Sequence, residues 1–86
     1  MSAKEMFEKL GYEQKIQDNV IYYFKSINVP KKYGHIHIYH INFILQDKEL
    51  FTSKNLDYKE LQAINKMCEE LGWNDEQWDK RNIRVL

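Results

Sequence analysis

The sequence predicts an α+β fold: one helix, a four-stranded antiparallel meander and a second helix, with both helices on one face of the sheet. Three observations lead there. Two capping boxes, Ser2 with Glu5 and Asp57 with Glu60, open a helix near the start of the chain and another in its second half. Between them the apolar period drops to two, and the residues are largely β-branched or aromatic. At 86 residues there is room for one domain and no second.

The first helix follows Ser2, with Met6, Phe7 and Leu10 on one face and Met1 placed to staple onto Met6. Gly11 ends it, and Tyr12 can fold back onto the last turn. Tyr12, Gln14 and Ile16 then alternate with Glu13, Lys15 and Gln17 as a first strand. Asp18 and Asn19 both tolerate positive φ and form the hairpin turn. Val20 to Ile27 is the second strand. Its run Val20-Ile21-Tyr22-Tyr23-Phe24 suits a central position with both faces covered or wide side chains on each. Asn28 to Gly34 is a loop built around the one proline. From His35 to Gln46 the apolar register moves from Ile36 and Ile38 to Tyr39, Ile41, Phe43 and Leu45. A bulge near Tyr39 or His40 would explain that shift, and burial on both faces is the alternative. Asp47 and Lys48 turn the chain into a short fourth strand around Leu50 and Phe51.

The second helix carries Leu61, Ile64, Met67, Cys68 and Leu71 as one stripe and runs to Leu71. Gly72 and Trp73 end it as Gly11 and Tyr12 end the first, so that Phe7-Glu8-Lys9-Leu10-Gly11-Tyr12 parallels Cys68-Glu69-Glu70-Leu71-Gly72-Trp73 through shared capping physics. Residues 1–73 form the domain. Residues 74–86 are a C-terminal extension, a short helical turn through Trp78 plus an extended end that docks or frays.

Thirteen Lys and Arg balance thirteen Asp and Glu, so net charge supplies no drive toward nucleic acid or membrane surfaces. No apolar run approaches the ~20 residues of a membrane span. Met1 to Leu10 lacks the pattern of a secretory signal, and the single Cys68 agrees with a reducing compartment. The expectation is a soluble cytoplasmic protein without a cofactor.

The histidines His35, His37 and His40 are weak metal candidates. Two of them share a strand face, the third joins only through the bulge, and zinc needs four ligands. Cys68 sits on the apolar stripe in the last turn of its helix, where the dipole disfavours a thiolate. No phosphate loop, nucleophile elbow or metalloprotease helix is present, so the expectation is no enzyme. Charge is uneven: residues 1–34 carry six Lys against four acids, and Glu69 to Asp79 holds five acids and no base. An acidic edge that includes Trp73 and Trp78 has the composition of a protein-binding surface. The protein-binding candidates are Lys31, Lys32 and Tyr33 in the Pro30 to Gly34 loop, and Glu69, Glu70, Trp73, Asp75, Glu76 and Trp78. The alternative is a single-stranded nucleic-acid site made from Tyr22, Lys25, Lys31, Lys32 and Tyr39, stacking rings beside cations.

The segments Ala3-Lys4-Glu5-Met6-Phe7-Glu8-Lys9-Leu10-Gly11-Tyr12, Glu60-Leu61-Gln62-Ala63-Ile64-Asn65-Lys66 and Glu70-Leu71-Gly72-Trp73 together resemble small uncharacterised phage and prophage proteins of Gram-positive bacteria. The likeness covers roughly residues 1–73 and implies a helix, sheet, helix layout and a genomic setting. The shared residues are caps, core positions and terminators, so no catalytic residue is carried over. That setting implies a small accessory protein that binds a host or phage protein, for example to inhibit a defence or replication enzyme. An exposed sheet edge would also support a homodimer by strand pairing.

Overall fold

The computed structural model describes residues 1–28, 36–73 and 83–85. Helix α1 (Ala3–Lys9) leads into strands β1 (Glu13–Gln17), β2 (Val20–Asn28), β3 (Ile36–Ile44) and β4 (Glu49–Thr52), followed by helix α2 (Tyr58–Leu71) and strand β5 (Ile83–Val85). The sheet order is β1-β2-β3-β4-β5, with the first four strands an antiparallel meander.

Both helix starts are capping boxes. Ser2 Oγ accepts from Glu5 N at 3.2 Å while the Glu5 carboxylate accepts from Ser2 N at 3.1 Å. Asp57 and Glu60 do the same at 2.8 and 3.0 Å. Both helices also end alike. Tyr12 N–H reaches back to Phe7 O at 3.0 Å and Trp73 N–H to Cys68 O at 2.7 Å, closing six-residue loops around Gly11 (φ +93°) and Gly72 (φ +74°). This is the Schellman arrangement, and in each case the residue after the glycine is an aromatic tucked into the core.

Asp18 (φ 52°) and Asn19 (φ 61°) form the two-residue turn between Gln17 and Val20. Positive φ at both central residues matches the right-handed twist of the flanking strands. Of the two readings of β3, a bulge or apolar packing on both faces, the bulge is absent. Register with β2 runs unbroken from Val20↔Ile44 to Asn28↔Ile36. The apolar register shifts because β3 is apolar on both parities: Tyr39, Ile41 and Phe43 lie on the helix side, Ile38 and Ile44 on the other.

The core lies between the helices and one face of the sheet. Phe7 of α1 stacks on Tyr23 with ring centroids 3.9 Å apart and meets Tyr12 and Phe43 edge-on. Such ring pairs contribute roughly 0.5–1.5 kcal/mol each beyond the area they bury. Ile21, Ile41, Leu50, Ala63, Ile64, Met67 and Cys68 complete the cluster. The buried stripe of α2 is Glu60, Ala63, Ile64, Met67 and Cys68, rotated from the expected one, and Leu61 is 40% exposed. Glu60 takes the core-facing place because it has buried partners there. Of the two readings of the extended C-terminal end, docking holds for Ile83–Val85, which pairs parallel to β4 and adds a fifth strand to the sheet.

Candidate functional site

Strand alternation gives the sheet two different faces. On β2, Ile21, Tyr23 and Lys25 point toward the helices, whereas Val20, Tyr22 and Phe24 point away. Register extends this second set across the sheet, so that Lys15, Tyr22, Asn42 and Phe51 form one rung over four strands. Among the described residues no helix lies over this face, and Val20, Tyr22, Phe24, Ile44 and Phe51 are only half-buried on it. An antiparallel sheet tolerates one solvated face, but that face is ordinarily polar.

Tyr22 stands between two shallow grooves. One, of about 240 Å³, is lined by Val20, Tyr22, Asn42, Ile44 and Phe51. The other, of about 370 Å³, is lined by Lys15, Gln17, Tyr22, Phe24 and His40. Within the first, Asn42 Oδ1 is buried without a hydrogen-bond partner. A buried acceptor left unpaired costs roughly 1–3 kcal/mol, so it favours whatever brings a donor to it.

The opposite face holds a charged network at the N-terminal end of α2. The Glu60 carboxylate is 1% exposed and accepts from Lys54 Nζ at 2.8 and 2.9 Å, from Asp57 N and from the Tyr12 hydroxyl. Burial pushes this carboxyl up, but the hydrogen bonds from Lys54, Tyr12 and Asp57 outweigh it and hold the group below its ordinary value. Burial and the neighbouring Glu60 push the Tyr12 phenol far up, keeping it a donor. Lys54 Nζ lies 5.0 Å from the Tyr39 ring centroid. Lys25 Nζ lies 4.6 Å from that of Tyr12 and donates to Leu10 O at 3.1 Å. With every carboxylate lone pair directed at a donor, this cluster is a structural lock between the α1–β1 connection, the β4–α2 connection and α2.

These positions rearrange the sequence-derived candidates. Tyr22 lies on the open face, while Lys25 and Tyr39 are cross-strand partners on the helix face, so the three do not form one stacking platform. Trp73 is 3% exposed and packs on Phe43 at 6.0 Å, which makes it a core residue instead of a surface anchor. Glu69 and Glu70 are exposed on the last turn of α2. Glu70 accepts from Ala3 N at 2.8 Å and so ties α2 to the start of α1. His37 and His40 fall on opposite faces because β3 has no bulge, and the His37 ring packs 5.2 Å from that of Tyr39. Among the described residues no three His, Cys, Asp or Glu side chains are grouped to hold a metal. Lys31, Lys32, Tyr33 and His35, like Asp75, Glu76 and Trp78, lie outside the described residues.

Val20, Asn42, Ile44 and Phe51 are the members of the open face that sequence reasoning left out. Their signal is arithmetic: β2 and β3 carry large apolar residues on both parities, more than two helices on one side can cover.

Burial pushes the Cys68 thiol up to about 11. No helix among the described residues is long and apolar enough to cross a membrane. The chain matches no protein-family model, no curated protein and no solved structure.

Proposed function

We propose that this chain is a non-catalytic accessory protein that works by binding another protein through the face of its sheet opposite α1 and α2. The observation that supports this reading is the half-buried apolar patch of Val20, Tyr22, Phe24, Ile44 and Phe51, interrupted by the unpaired Asn42 acceptor. The groove over Asn42, at about 240 Å³, is smaller than the roughly 300–1,000 Å³ typical of sites for small organic ligands. It suits one side chain of a partner, an apolar body carrying a hydrogen-bond donor, as tryptophan and tyrosine do at interface centres. The sequence likeness suggests a phage or prophage setting in the bacterial cytoplasm, and a host defence or replication enzyme as the kind of target.

A second reading has one observation in its favour. The groove of Lys15, Tyr22, Phe24 and His40 sets rings beside a cation, as single-strand nucleic-acid binders do. Among the described residues Lys15 is the one Lys or Arg lining that groove, and clustered cations are what phosphate binding needs, so protein binding ranks first.

The test is capture from host lysate, with and without nuclease, by the native chain, by the double variant Tyr22→Ser with Phe51→Ser, and by Glu69→Lys. A nuclease-resistant partner retained by the native chain and by Glu69→Lys, but lost from the double variant, is the expected result. Equal retention by all three chains would overturn the assignment of the face. Nuclease-sensitive capture that weakens steeply with salt would instead favour nucleic acid.

A further inference from the structure

We infer that β1 is a self-pairing edge, joining two copies of this chain antiparallel into one continuous sheet. The inference is independent of the partner proposed above.

The argument begins with the hairpin. A two-residue turn makes Gln17 and Val20 a hydrogen-bonded pair, and alternation then directs the N–H and C=O groups of Glu13, Lys15 and Gln17 toward β2. The same alternation carried across β2 and β3 is consistent with Ser53 N–H bonding His40 O at 3.0 Å and Leu45 N–H bonding Asn19 O at 3.0 Å. The N–H and C=O groups of Gln14 and Ile16 therefore face outward, and among the described residues no strand pairs with them. The edge has no proline and no bulge, two of the usual means of blocking edge pairing. Ile16 is 65% exposed on it.

Charge selects the occupant and the register. In an antiparallel pair of identical strands with Gln14 opposite Gln14 of the second copy, Glu13 stands opposite Lys15 and Lys15 opposite Glu13. Two opposite-charge cross-strand pairs form, and the two Gln14 residues exchange backbone hydrogen bonds at the two-fold axis. Ile16 falls opposite Tyr12, whose own N–H is already committed to Phe7 O, so pairing ends there. The register shifted by one step along each strand sets Lys15 against Lys15, which like-charge repulsion disfavours. Of these two registers the strand is complementary to itself in the first.

Sedimentation velocity of the full chain from about 10 µM to about 1 mM, the span of weak to moderate association, tests this directly. The expected result is a reversible monomer–dimer equilibrium that Glu13→Lys and Lys15→Glu each weaken by about tenfold, from two attractive pairs turned repulsive. The Glu13→Lys/Lys15→Glu double variant should restore it, and so should an equimolar mixture of the two single variants. Both residues are exposed, and circular dichroism of each variant is the check that it is folded. A monomer throughout the range would overturn the inference, as would a dimer indifferent to both reversals. The readout needs no partner, so its failure is distinct from failure of the open-face reading.

Discussion

Lys54 Nζ lies 2.8 Å from Glu60 Oε1, an ion pair in which the carboxylate is 1% exposed and the ammonium 20%. Glu60 also serves as the capping-box residue of α2 and accepts from Tyr12, 48 positions earlier in the chain. One side chain therefore joins a local helix start to a long-range contact.

Because Glu60 is held below its ordinary carboxyl value, the sign of its pH dependence is set. The stabilisation is fully present above the unfolded-state value of 4.5 and is lost as pH falls through the lower folded-state value. Urea unfolding at pH 7, 4.5 and 3 should show this loss, and Glu60→Gln should flatten that part of the profile. Glu60→Ala leaves Lys54 without its partner and should cost roughly 3–5 kcal/mol at pH 7.

Trp73→Ala distinguishes a core aromatic from a binding anchor. Its ring is buried against Phe43, so removal should destabilise the chain by roughly 3–5 kcal/mol in urea titration. An unchanged midpoint would return Trp73 to the surface set.

The two terminating glycines should respond unequally. Gly72 adopts positive φ with open space where a Cβ would go, so Gly72→Ala should cost about 1 kcal/mol and Gly72→Asn less. At Gly11 the new Cβ would sit 3.2 Å from Lys25 Cδ, and Lys25 is held by Leu10 O and the Tyr12 ring. Gly11→Ala should therefore cost about 2 kcal/mol, from left-handed strain plus the disturbed contact. Thermal melts of the three variants check the order.

Cys68 should be inert in the native chain. Its thiol is buried and pushed up to about 11, so at pH 8 a thiol reagent should react only after denaturant exposes it. Native reactivity at the rate of a free thiol would show that the last turn of α2 opens readily.

Much of the fold was legible because its signals are short-range. Ser2 with Glu5, Asp57 with Glu60, Gly11 with Tyr12, and the Asp18–Asn19 turn each act within a few residues, and each forms as read. The candidate site was less legible. Period two shows that a strand has two faces without showing which the helices cover, so Tyr22, Lys25 and Tyr39 were grouped although alternation and packing separate them. An apolar run on both parities of β3 allows either a bulge or an apolar surface on each side, and only the unbroken pairing with β2 decides for the second.

The sequence by itself determined the order of the meander, the helix limits and the Asp18–Asn19 turn, since these rest on φ preferences and on hydrogen bonds between near neighbours. The tertiary structure decided the burial of Glu60, the core position of Trp73, the pairing of Ile83–Val85 with β4 and the half-buried place of Tyr22 and Phe51 on the face away from the helices. Each of these depends on partners dozens of residues away, whose approach is selected by the packing of the whole core and leaves no local periodicity to read.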